Sequence, residues 1–239
     1  MANIFEKVSP MSLSESAMLA LRSKILSGEL KAGQWLPAER DMADQMGISR
    51  SSIHQAILEL DYQGFVSIVP RRGTMVCDYR KYPTPQSLSA LMSNDSLELD
   101  KSLFDDMMAF RLWLESECAR CACRNIYDGT FDEMQQIVYD LTKPGADVAD
   151  LIYSFHYKLT QASGNSLYSM VFRGFEPVLR ATIEHHYSVK AGDVTQTAQM
   201  RQQLLDHIKN KDEKAAAECV TEIIQQGISV LEERYKIPN

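Results

Sequence analysis

Residues Pro37 to His54 read Pro-Ala-Glu-Arg-Asp-Met-Ala-Asp-Gln-Met-Gly-Ile-Ser-Arg-Ser-Ser-Ile-His. The stretch reads as two short helices joined by a tight turn. Pro37 suits the first position of a helix, where its missing N–H costs nothing. Met42, Ala43 and Met46 share one face. Gly47 breaks the helix, because glycine reaches positive φ without a Cβ penalty. Ser49 can cap the next helix by accepting from its free N–H groups. Ile53, Ala56, Ile57 and Leu60 recur at spacings of three and four and form the buried face of that second helix. Its first turn carries Arg50, Ser51 and Ser52, with His54 one turn on. A helix about 10–12 Å across fits the DNA major groove, and its N-terminal end reaches base edges. Arginine pairs bidentately with guanine, and serine hydroxyls suit phosphate oxygens. The pattern is a helix-turn-helix; an ordinary helical hairpin with a polar surface would carry the same apolar spacing.

The flanks supply the rest of a small domain. Ser12 and Glu15 form a capping box for a helix running to about Ser27, with Ala17, Leu21 and Ile25 on one side and Gly28 at its end. After the third helix, Phe65 to Val69 and Thr74 to Cys77 read as strands around a Pro70-Arg71-Arg72-Gly73 turn. Such a ribbon is a wing, whose Arg71, Arg72 and Gly73 tip can enter a minor groove or clamp phosphates. A merely solvated turn is the plainer reading of the same residues.

The run from Leu21 to Val76 resembles the N-terminal winged helix-turn-helix domain of the GntR family of bacterial transcription regulators. The matching residues are Leu21-Arg22, Ile25, Gly28, Gly33, Leu36 to Arg40, Ala43, Gly47, Ser49-Arg50, Ala56, Leu60, Gly64 to Val66, Arg72 to Thr74 and Val76. The resemblance implies DNA contacts from Arg40, Ser49, Arg50, Ser51, Ser52, His54, Arg71, Arg72 and Gly73. Members of the FadR subfamily commonly carry Arg where this chain has His54, so the operator is expected to differ at that base.

The chain has 239 residues, 45% of them hydrophobic, a net charge of −7 and a pI of about 5.3. Residues 1–80 hold nine basic and nine acidic residues, so the whole negative excess lies beyond them. DNA binding must therefore rest on where particular arginines point, not on net charge. No run is long enough to cross a bilayer and the N-terminus carries no signal-type apolar segment, which predicts a cytoplasmic protein with no membrane partner. Five cysteines, an odd and clustered set, fit reduced thiols. Cys118, Cys121 and Cys123 fall within one predicted helix without a second pair, so they read as small buried residues and not as a zinc site.

Residues 1–11 read as a loose arm. Residues 78–101 read as a linker, marked by Pro83, Pro85 and the Ser93-Asn94-Asp95-Ser96 patch, with a short helix at 86–92. From residue 102 onward every segment has helical spacing: about 102–125, a segment around Phe131 to Val138, 148–162, one long helix from Leu167 to about Ser188, 195–209, and a last helix opened by Asp212. The expected fold is mostly α: a winged helix-turn-helix domain over 1–77, followed over 102–239 by an antiparallel bundle of six to seven helices for effector binding and dimerisation.

The bundle resembles the ligand-sensing FCD domain of the FadR subfamily. The match rests on Arg111, Leu114 and Glu115, on Phe155-His156, and on Ala162 to Asn165. Many such domains bind a divalent metal through one Asp and three His. Here only His156 is in register; Ile152 stands for the Asp, Arg201 for one His, and Ile223 or Ile224 for another. No metal of that kind and no other cofactor is expected, although His185, His186 and His207 offer imidazoles at shifted positions. The expected effector residues are Arg111, Tyr153, His156, Arg180 and Tyr187, with Arg111 suited either to a ligand anion or to an ion pair with Glu115. The resemblance implies a homodimeric, metabolite-responsive repressor on a palindromic double-stranded operator. Its effector would be a small organic acid or an acyl-CoA, and the missing metal ligands lean towards the acyl-CoA-sensing branch. The rival readings are a metabolite-processing enzyme or a metal-dependent sensor with an accessory winged helix. No nucleophile–base pair supports catalysis, so no catalytic residues and no enzyme are expected.

Overall fold

The computed structural model describes residues 11–93, 99–125, 128–189 and 194–235. It divides into two compact units at Leu91/Met92, with Asp100 belonging to the first. Most of the expected N-terminal arm, and Asn94 to Ser96 of the expected linker, lie outside the described residues.

The first unit opens with α1 (Leu13–Leu26), whose N-cap Ser12 accepts from the Glu15 N–H at 3.1 Å. α2 (Glu39–Met46) and α3 (Arg50–Tyr62) follow. Pro37 lies ahead of α2 and not at its first position; Ala38 caps that helix without a side-chain bond. Gly47 closes α2 at φ 66°, the left-handed conformation that a Cβ disfavours. Ser49 accepts from the Ser52 N–H at 3.1 Å and starts α3. α3 buries Ile53, Ala56, Ile57 and Leu60 against α1 and α2, as its spacing requires. It ends in a Schellman turn: the Phe65 N–H reaches the Leu60 carbonyl at 2.9 Å while Gly64 sits at φ 80°.

The wing is β1 (Val66–Val69) paired antiparallel with β2 (Gly73–Val76), Val69 opposite Gly73. A third piece joins it that the sequence reading lacked. Trp35 forms a bridge with Met75, and the Leu36 N–H donates to the Thr74 carbonyl at 2.8 Å. The segment after β2 is not a free linker. Tyr79 is buried with its ring 5.1 Å from that of Phe65. Thr84 donates its hydroxyl to the Gln63 carbonyl at 3.2 Å and caps α4 (Pro85–Met92) through reciprocal 2.9 Å bonds with Ser87. Residues 78–91 therefore pack on the winged helix.

Among the described residues the second unit holds seven helices: α5 (Lys101–Asn125), α6 (Asp128–Leu141), α7 (Val148–Ala162), α8 (Ser166–Gly174), α9 (Glu176–Val189), α10 (Val194–Lys209) and α11 (Glu213–Tyr235). Their core runs from Leu114, Cys118 and Ala122 of α5 through Phe155 and Leu159 of α7 to Leu204, Val220 and Ile224. The single helix expected from Leu167 to Ser188 is two. Pro177 cannot donate to the carbonyl four residues back and its ring crowds that carbonyl, so the chain breaks at Phe175 and restarts with the proline in the first turn of α9. Among the described residues no helix is long and apolar enough to cross a membrane.

Candidate nucleic-acid interface and buried cavity

The N-terminal turn of α3 is exposed. The Arg50 side chain is 74% accessible, and Ser49, Ser51 and His54 are also exposed. Their position follows from the cap: Ser49 ends the turn after Gly47, and its hydroxyl accepts from the Ser52 N–H to start α3. The Ser49 hydroxyl lies 2.8 Å from those of both Ser51 and Ser52, so the three serines form one local cluster, and Ser52 is half-buried. Arg40 is exposed on α2.

The structure adds Glu39 to this group. Its carboxylate accepts from Arg50 Nε at 3.2 Å and lies 2.8 Å from His54 Nδ1. Hydrogen bonding to His54, with Arg50 adding to it, outweighs desolvation and lowers the Glu39 carboxyl below the usual carboxylate range. Glu39 thus lines up two side chains one turn apart on α3. Sequence reading used Glu39 only as part of a motif, because its partners lie 11 and 15 residues away.

At the wing tip Arg71 takes φ 65°, Gly73 takes φ 114°, and both are exposed. The Arg72 guanidinium lies 5.0 Å from the Trp35 ring centroid, a cation–π contact that holds the tip against the body of the wing.

In the bundle a cavity of about 70 Å³ lies among α5, α7, α9, α10 and α11. Arg111, His156, Tyr187, Thr197 and Arg201 supply its polar wall, and Ile152, Ile223 and Ile224 an apolar one. Ile152 and His156, four apart on α7, face it together. Tyr153 is one position round the same helix and turns away, its ring 5.8 Å from Phe172. Arg180 also lies off the cavity. It stacks over Tyr153 at 4.2 Å and is neutralised by Asp150 at 2.9 Å and Glu176 at 2.8 Å. Of the five residues expected to hold an effector, Arg111, His156 and Tyr187 line this cavity; Tyr153 and Arg180 do not.

A chain of polar contacts crosses the cavity wall. Arg111 Nε donates to Glu115 Oε1 at 2.7 Å, so Arg111 has both of its expected settings: an ion pair and a place on the cavity. The other Glu115 oxygen pairs with His156 Nδ1. Arg201 Nη2 lies 3.2 Å from His156 Nε2, and Arg201 Nη1 donates to the Thr197 carbonyl at 3.1 Å. Arginine carries only donors, so Nε2 must accept and the proton sits on Nδ1, donated to Glu115. His156 is therefore neutral. Burial depresses its pKa in the same sense, against the pull of Glu115. Glu115 is fully buried; burial raises its carboxyl, but His156 and Arg111 together more than offset this and hold it low. Burial pulls Arg201 down to about 10, still charged at neutral pH.

These contacts do not suit a metal. A metal would need the Nε2 lone pair of His156, which already faces a guanidinium; the positions in register with it hold Ile152, Arg201, Ile223 and Ile224, and His186 is a second imidazole on the cavity wall. Among the described residues no three His, Cys, Asp or Glu side chains come together. The three cysteines of α5 are free thiols, with Cys118 and Cys123 buried in the core and Cys121 half-buried. Sequence reading passed over Arg201 as an effector residue: it registered as a lost histidine, not as a gained cation.

The sequence profile of bacterial regulatory proteins, gntR family, matches residues 13–76, and that of the FCD domain matches residues 106–226. The putative L-lactate dehydrogenase operon regulatory protein of Escherichia coli K12 is 29% identical over 185 residues, covering 74% of this chain and 69% of that protein. The fatty acid metabolism regulator protein of Shewanella denitrificans is 24% identical over 164 residues, covering 69% and 68%. The structure of E. coli McbR/YncC superposes with a TM-score of 0.52 at 19% identity, covering 95% of this chain and 100% of that one. A GntR family transcriptional regulator from Pseudomonas syringae pv. tomato gives 0.51 at 19% identity, covering 97% and 90%. These two likenesses speak to the fold alone.

Proposed function

Since the chain belongs to the gntR family of bacterial regulatory proteins, carries an FCD domain and is a DNA-binding transcription regulator, we propose that it is a metabolite-responsive repressor acting as a homodimer on a palindromic operator in the cytoplasm. DNA recognition falls to the first unit, and effector binding and dimer formation to the second. The observation that carries the DNA reading is the accessible N-terminal turn of α3, with Arg50 held by Glu39 in an extended, solvent-facing position. Arg50 reads guanine in the major groove, His54 reads the adjoining base, and Ser49, Ser51, Ser52 and Arg40 take phosphates. Arg71, Arg72 and Gly73 bring the wing tip to the backbone or the minor groove. Two copies place two such helices on half-sites related by the dimer axis.

The effector is a small organic acid in the bundle cavity. The observation behind this is size with charge. The cavity is about 70 Å³ and carries Arg111 and Arg201 in its wall. The guanidinium groups suit an acid, and the size excludes a long acyl chain with its CoA. The relative whose name ties it to an L-lactate dehydrogenase operon fits this reading better than the one named for fatty acid metabolism.

The test is fluorescence anisotropy with DNA from upstream of the protein's own gene at physiological salt, comparing wild type with Arg50→Ala. Saturable binding weakened by about 1–3 kcal/mol in the variant, with relaxed sequence preference, supports the reading. Equal binding by both proteins sinks the assignment of α3 and favours a winged helix used for protein contacts.

A further inference from the structure

The cavity has an unbalanced charge. Arg111 and Glu115 cancel, and His156 is neutral by its hydrogen-bond geometry. Arg201 is 5% exposed, and among the described residues no carboxylate lies within ion-pairing distance of it. Compare Arg180, which is more exposed and has two carboxylates. A buried cation without a counter-charge is costly, and buried charges are as a rule paired.

The donors of Arg201 point to the same conclusion. Among the described residues it makes two hydrogen bonds, to His156 Nε2 and to the Thr197 carbonyl. Its Nε–H is buried with no partner. That N–H and a spare Nη–H present the two-pronged edge that a carboxylate accepts. Beside it, the Tyr187 and Thr197 hydroxyls lie 3.2 Å apart on the cavity wall, each able to donate to or accept from a second polar group on the ligand. Of the two arginines on the wall, Arg111 is matched by Glu115 and Arg201 is not, so one guanidinium is left to balance one carboxylate. A dicarboxylate would leave a negative charge in a low-dielectric site.

We propose that the cavity binds a short 2-hydroxy or 2-keto monocarboxylate without any metal ion, and that the guanidinium of Arg201 anchors the carboxylate. The inference rests on the effector reading of the cavity, and DNA binding measured in parallel keeps the two separable. A chain that binds its operator yet ignores every acid loses this inference and keeps the DNA-binding reading.

The experiment is thermal unfolding and calorimetric titration of the full chain in EDTA, with L-lactate, pyruvate and acetate as probes and succinate as the two-charge control. L-Lactate or pyruvate at roughly 100 times its Kd is expected to raise Tm by about 5 °C with EDTA present. Arg201→Met is expected to weaken binding by about tenfold or more, and Arg201→Lys, which keeps the charge but has no two-pronged edge, to recover only part of it. Unliganded Arg201→Met should melt no lower than wild type, since it removes a buried charge that no carboxylate matches, and methionine can keep the contact with the Phe155 ring, which lies 5.6 Å from the guanidinium. A purely structural Arg201 would instead make that variant melt well below wild type. The proposal is overturned by that loss, by a shift that needs an added divalent cation, by undiminished binding in Arg201→Met, by tighter binding of succinate, or by no shift with any of the acids.

Discussion

Two clusters in this protein use the same three residue types to opposite ends. On α3 and α2, Glu39 holds Arg50 and His54 at an accessible surface. In the bundle, Glu115 holds Arg111 and His156 in a site where the carboxylate is fully buried. At the surface, water and salt screen each contact, so a bond can open when a phosphate or base edge offers a better partner. Inside, no such exchange is available and every charge must be matched within the protein or by a ligand. The first cluster is therefore suited to reading changing partners, and the second to registering one.

The largest effect should come from breaking the buried cluster. Glu115→Ala leaves the Arg111 charge without its counter-ion and the His156 Nδ1–H without its acceptor, and is expected to cost about 3–5 kcal/mol of stability. Urea unfolding measures it; a loss under about 1 kcal/mol would mean that the cluster is wetter than its burial indicates. Arg50→Ala comes next and should separate function from stability. Its cost falls on operator affinity, about 1–3 kcal/mol by anisotropy, while the melting temperature stays put.

A pH titration sharpens the contrast further. His156 is depressed in the fold by burial, so its unfolded form takes up a proton first. The stability tied to its neutral form is complete above the ordinary histidine range and is lost as pH falls through it. Glu115, also depressed, adds a second loss at lower pH, once unfolded carboxylates begin to protonate. Stability should thus decline on acidification from near neutrality, and His156→Gln should flatten the first part of that decline. An unchanged slope in the variant would assign the early loss elsewhere. The smallest effect belongs to Glu39→Gln. An exposed pair contributes about 0–1 kcal/mol, so unfolding should barely change. Operator preference should blur while binding to unrelated DNA tightens slightly, since a negative charge leaves the DNA-facing surface.

The first unit was legible in the sequence because its punctuation is local. Gly47, Ser49 and Gly64 each fix the backbone within a turn, and the faces of α1 and α3 follow from spacing alone. What escaped depended on partners distant in sequence. The Trp35 bridge to Met75 spans 40 residues, and Tyr79 and Thr84 read as linker because Phe65 and Gln63 are not their neighbours in the chain. The α8–α9 break was visible in Pro177, but the apolar periodicity on either side masked it. In the cavity, the motif residues Arg111, Glu115 and His156 were picked out one by one. Their joining to Arg201, 45 residues beyond His156, needed the fold.

The stacking of Arg72 on Trp35 has a practical consequence. The chain has only two tryptophans, Trp35 and Trp113, which lie in different units. An indole beneath a guanidinium changes its emission when that guanidinium leaves for a phosphate. With Trp113 replaced by Phe, the protein carries a built-in optical reporter of the wing, and DNA engagement can be followed in real time without attaching a dye.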